Sequence, residues 1–176
     1  APTMHRLLPI IASLAAFAAH AQPQGPGLGD GIAFENQGLR LVIGRGGECR
    51  SLYDKTLRAE RSRPTGRPLM QAVTGGRTLL ATSCTAQGNL LSVIFGDDQA
   101  RAVIEVQTHP SFLGFVIRSY SPDDLEQLTL LDLLVTRQET MATSCGMMYD
   151  GRAALGVQTL HFSGLQVLAA SGPDHA

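Results

Sequence analysis

The sequence predicts an all-β protein, a large antiparallel β-sandwich. Three observations carry that expectation. From Gly31 onward the chain is a series of short apolar runs, with Gly, Asp, Asn or Pro between them. Several runs alternate with period two, the period of a strand whose successive side chains point to opposite faces. The chain has 176 residues, 44% apolar and 16% charged, enough for one ordinary core and short for two domains.

Ile32-Ala33-Phe34 is the first run. Leu39 to Ile43 follows, with Leu39, Leu41 and Ile43 on one face and Arg40 on the other. Gly44-Arg45-Gly46-Gly47 opens no helix and reads as the hairpin turn leading to Cys49–Tyr53. Leu69–Val73, Thr78–Ser83, Leu90–Phe95, Ala102–Gln107 and Phe112–Ser119 come next. Leu90–Phe95 is apolar on both faces apart from Ser92, the pattern of a strand covered on both sides. Ser121-Pro122-Asp123-Asp124 has the composition of a helix start, and Leu125, Leu128 and Leu131 continue at helical spacing. The alternative is one helical turn followed by a strand, with Thr129, Leu131, Leu133 and Val135 on one face. The second is favoured, because Thr129 and Val135 are β-formers in β surroundings. Leu128–Val135, Ala142–Tyr149, Ala154–Leu160 and Leu165–Ala170 complete the array. So many strands suit a large sandwich better than a small barrel.

Upstream of the sandwich lies an export signal. After Met4 come His5-Arg6, a short positive segment, and then the apolar run Leu7–Ala19. It ends in Ala19-His20-Ala21, small residues where signal peptidase cuts, and Gln22–Asp30 is a Gly/Pro-rich linker. Residues 1–21 are therefore the signal-peptide region, 22–30 the linker and 31–176 the sandwich. The mature chain starts at Gln22 and is secreted or periplasmic. No apolar run reaches the ~18–20 residues that span a bilayer, so no membrane span is expected. A net charge of −1 gives no footprint for nucleic acid. Cys49, Cys84 and Cys145 lack zinc-ligand spacing; buried thiols and one disulfide of undecided pairing both stay open. No cofactor or metal motif is present.

Chemistry is thinly marked. No nucleophile elbow, zinc-protease, phosphate-loop or dinucleotide motif occurs. Asp97-Asp98 and Asp123-Asp124 are adjacent acids in turn or helix-start composition. Asp54 and Asp150 each follow a tyrosine at a strand end, as Tyr53-Asp54 and Tyr149-Asp150; the blander role is to cap their own turns. His161 follows an apolar run and could line a cleft. His109 precedes Pro110 in a loop and reads as a surface residue. The substrate-binding candidates are Asp54, Tyr149, Asp150 and His161. The catalytic residues are unassigned.

Phe34-Glu35-Asn36, Leu39-Arg40-Leu41, Gly46-Gly47 and Ser51-Leu52-Tyr53-Asp54-Lys55-Thr56 form one composite motif. It resembles the opening of the galactose-mutarotase-like β-sandwich at the front of many secreted carbohydrate-active enzymes. Tyr149–Leu160 resembles a later strand pair of such modules. The resemblance implies a non-catalytic module that packs on a C-terminal catalytic domain in a glycoside hydrolase or polysaccharide-degrading enzyme. It also implies a polysaccharide or glycan as partner. The motif residues are structural in that family. No such catalytic domain lies between Met4 and Ala176, so an incomplete product is expected. The alternatives are a free-standing carbohydrate-binding module, for which three Tyr and no Trp are a poor stacking complement, and an exported structural or adhesion sandwich without ligand.

Overall fold

A computed structural model describes residues 30–63, 65–135, 140–142, 147–149 and 154–156. The expected signal-peptide region 1–21, nearly all of the expected linker, Cys145, Asp150, His161 and the run Leu165–Ala170 lie outside the described residues. Every regular element among the described residues is a strand, so the protein is all-β. No helix there is long and apolar enough to cross a membrane.

The first four strands make one antiparallel sheet, in chain order: β1 (Ile32–Glu35), β2 (Leu39–Ile43), β3 (Cys49–Asp54) and β4 (Ala59–Glu60). The next six are β5 (Gln71–Thr74), β6 (Arg77–Gln87), β7 (Leu90–Phe95), β8 (Ala100–Thr108), β9 (Leu113–Ser121) and β10 (Gln127–Thr129). They form a second antiparallel sheet in the order β10-β5-β6-β7-β8-β9. A three-stranded antiparallel meander follows: β11 (Thr140–Ala142), β12 (Met147–Tyr149) and β13 (Ala154–Gly156).

The two larger sheets face each other across one core. Phe34, Leu41, Ile43 and Leu52 come from the first sheet. Leu79, Ala81, Cys84, Leu91, Val93, Phe95, Ile104 and Val106 come from the second. The alternation is clearest in β8, where Ala100, Ala102, Ile104 and Val106 are buried and the residues between them are not. In β6 the period slips. Leu79 and Ala81 are buried, then Cys84, because the pairing with β7 shifts register between Ala81 and Ser83. Such a bulge bends the strand, so the first part of β6 pairs with β5 and the second with β7.

Some elements differ from the sequence reading. Leu90–Phe95 is covered on one face only: Leu91, Val93 and Phe95 are buried, while Leu90 and Ser92 are exposed. Its outer face is apolar by composition, but no layer of the described residues lies over it. Ala142–Tyr149 is two strands, β11 and β12, because the pair doubles back on itself. The two-residue β4 was not anticipated; its Glu60 is held by hydrogen bonds rather than by an apolar pattern. As favoured, a strand follows Ser121–Asp124, but it is short: β10 ends at Thr129 and pairs with β5, and residues 130–134 belong to no strand.

The Gly44–Gly47 turn ties the sheets together. Gly47 Oʹ, its backbone carbonyl, accepts from Leu69 N at 2.7 Å, and the Arg45 carbonyl accepts from Cys84 N at 2.6 Å. Gly47 has φ of +85°, and a Cβ there would stand 2.8 Å from Ala81 Cβ. Only glycine meets both demands. Cys49 and Cys84 are free and buried, which settles those two thiols as core residues.

Candidate functional site

β1 ends the four-stranded sheet and lies across from β8. Between them two adjoining clefts open, of about 340 and 350 Å³. The first is lined by Glu35, Asn36, Gln37, Lys55, Thr108, His109 and Pro110. The second shares Glu35 and Thr108 with it and adds Asn89 from the β6–β7 turn. Together they form one open groove of mixed polar and apolar lining.

Local bonding builds the wall on the β1 side. Asn36 Oδ1 accepts from Gly38 N at 2.9 Å and Leu39 N at 2.7 Å, an Asx turn that carries the chain from β1 into β2. The Lys55 amide donates to the Gly38 carbonyl at 2.8 Å, which brings the end of β3 alongside that turn. Lys55 Nζ then donates to the Asn36 carbonyl at 2.7 Å and lies 3.0 Å from Glu35 Oε2. One lysine thereby clamps the end of β1. The Asn36 side chain is buried, yet its Nδ2 has no hydrogen-bond partner. It is thus an unsatisfied donor covered behind the groove wall, as is Arg40 Nε.

The other wall is the β8–β9 turn. The His109 amide donates to the Phe112 carbonyl at 3.0 Å, and the two rings stack with centroids 4.2 Å apart. This holds the imidazole at the groove edge. The arrangement offers an acceptor carboxylate, amide and hydroxyl groups that both donate and accept, an ammonium and a flat ring. That set can bind a polyhydroxylated ligand.

The sequence candidates fall elsewhere. Asp54 Oδ1 accepts from Leu57 N at 2.9 Å, and its Oδ2 meets Arg61 Nη2 at 3.4 Å. It caps its own turn, and the next residue, Lys55, reaches the groove. Tyr149 lies in β12, its backbone in register with Thr140 and Ala154. Asp150 and His161 lie outside the described residues. Glu35, Gln37, Thr108 and His109 were not candidates. A signal existed for three groove residues: Glu35, Asn36 and Lys55 all belong to the composite motif, and the fold joins them.

Glu60 forms a second polar cluster, near the far end of the same sheet. Its carboxylate accepts from Leu52 N at 2.7 Å, Ser62 Oγ at 2.7 Å and Ser51 Oγ at 2.5 Å. Burial pushes its pKa up, but these hydrogen bonds together outweigh burial and hold it below the ordinary value. The cluster opens into neither cleft and its role is structural.

No family model matches the chain, and neither a curated protein nor a solved structure matches it.

Proposed function

We propose that the chain is the β-sandwich module of an exported carbohydrate-processing enzyme and that it binds a glycan in the β1/β8 groove without turning it over. One observation carries the reading: a single groove gathers Glu35, Asn36, Gln37, Lys55, Thr108 and the stacked His109. Sugar hydroxyls donate and accept at once, so they suit a wall of mixed donors and acceptors. The catalytic domain implied by the resemblance is the proposed packing partner.

Calorimetric titration with a panel of neutral and acidic oligosaccharides tests the proposal. Gln37→Ala and His109→Ala are expected to weaken binding by about 2–10-fold each, the worth of one hydrogen bond. A panel that shows no binding, or binding that both variants leave unchanged, overturns the groove. Turnover of any panel member overturns the non-catalytic part. A free-standing binding module would use the same groove. The coding frame downstream of Ala176 separates the two readings, since an enzyme module continues into a helical or barrel catalytic region.

A further inference from the structure

Three strands of the first sheet bring charge to the groove. β1 carries Glu35, β2 carries Arg40, and Lys55 follows the end of β3. Glu35 stands opposite Arg40 in the β1–β2 pair, and residues directly opposite share a face. Glu35 Oε2 lies 3.0 Å from Lys55 Nζ and 3.9 Å from Arg40 Nε. One carboxylate thus meets two cations, and the wall keeps a positive charge in excess. Among the described residues, the elements around the groove do not cancel it. The β8–β9 turn contributes His109 and the β6–β7 turn Asn89, neither of them an acid. The nearest other carboxylates have their own arginines: Asp54 meets Arg61, and Glu105 meets Arg118.

Lys55 also has a donor left over. An ammonium has three N–H donors and no acceptor. One goes to the Asn36 carbonyl at 2.7 Å and one to the Glu35 carboxylate. The third has no partner among the described residues. The Lys55 side chain is 32% exposed and lines the cleft, so a ligand can reach it. Its two existing contacts already hold the head group in place. Little side-chain freedom is left to lose when a third contact forms.

Taking the groove as a glycan site, we infer that its ligand is an acidic sugar, a uronate whose carboxylate accepts the remaining proton of Lys55. A hydrogen bond between an ammonium and a carboxylate is charge-assisted at both ends and stronger than one to a hydroxyl. The excess positive charge of the wall adds to it, and a neutral sugar draws on neither. A sulfate ester spreads its charge over three terminal oxygens and calls for several donors; the groove offers one ammonium proton, which suits a single carboxylate oxygen. The groove is open to water and salt, so the preference is moderate.

The test titrates the full chain with oligogalacturonate, oligomannuronate and oligoglucuronate, each beside its carboxyl-reduced neutral twin. At low salt one acid is expected to bind about 10-fold more tightly than its twin, and the advantage should shrink as salt rises. A twin that binds as well as its acid overturns the inference and leaves the groove standing. Binding by no oligosaccharide, acidic or neutral, removes the groove and the inference with it. A sulfated oligosaccharide that binds more tightly than every uronate overturns the carboxylate assignment. Two variants are read as the ratio of acid to twin affinity, because partial unfolding weakens both ligands alike. Lys55→Gln should bring the ratio near one. Glu35→Gln removes the competing anion and should raise the ratio about 3-fold. A ratio that Glu35→Gln leaves unchanged or lowers overturns the inference, even where Lys55→Gln fails to fold.

Discussion

β8 and β9 are adjacent strands of nine residues each, paired along their length. Both carry apolar residues on the face toward the first sheet. β8 is buried there throughout, and β9 is only partly covered. Their composition does not explain this, since Ile104 and Ile117 are the same residue in register with each other. The difference lies across the interior: β1 stands opposite β8, and the described part of the first sheet has no strand beyond it. Burial is a property of the opposing layer, and alternation in a strand records only which face could be covered.

The largest effect should come from the core side of this pair. Ile104→Ala removes a fully buried side chain and is expected to cost about 2–5 kcal/mol in urea unfolding. Ile117→Ala, at a side chain that is 42% exposed, should cost only about 1 kcal/mol. Equal costs for the two isoleucines would break the comparison.

Gly47→Ala asks whether the cover over β8 depends on the point where the sheets are tied. The left-handed φ and the approach to Ala81 should together cost about 1–3 kcal/mol, read as a lower thermal midpoint. No loss of stability would mean that the turn is not what sets the sheet contact.

The far end of the first sheet supplies the next contrast. Glu60→Gln leaves the size unchanged but removes a charged acceptor, and should cost about 1–2 kcal/mol at neutral pH. The native pKa of Glu60 lies below its unfolded value of 4.5. Its contribution is therefore complete above that value and is lost as pH falls through the native pKa. Wild-type and E60Q stabilities should converge in acid, and a constant gap from pH 7 to pH 3 would contradict this.

The smallest effect belongs to the outer face of β9. Arg118 forms an exposed ion pair with Glu105. Such pairs contribute little. Arg118→Ala should leave the urea midpoint within experimental error of wild type, and a clear shift would show that the outer face is also packed.

The sequence carried much of the fold because strand evidence is local. The runs Leu39–Ile43, Cys49–Tyr53 and Ala102–Gln107 fall on β2, β3 and β8, and the turn at Gly44–Gly47 stands where expected. Asp97 and Asp98 take the positive φ values of a turn, and Asp54 caps its own loop. The groove was less legible because no single window contains it. Glu35 and His109 are far apart in the chain and meet only once β1 lies across from β8. The loop position of His109 was readable, but its stacking on Phe112 depends on how the β8–β9 turn closes. The cover over β7 was misread for the reason that separates β8 from β9: a run of apolar letters does not reveal whether a second layer is present.

The two buried thiols have a practical consequence. Burial, with Glu48 nearby, pushes Cys84 up to about 11, and burial raises Cys49 as well. Only thiolate reacts readily, so at neutral pH about one Cys84 in ten thousand carries the reactive form, and it does so behind packed strands. Neither residue should be modified while the sandwich stays closed. When strands part, both become ordinary exposed thiols. The rate at which an alkylating reagent marks Cys84 therefore reports how often this core opens, a clock that needs no label added to the protein.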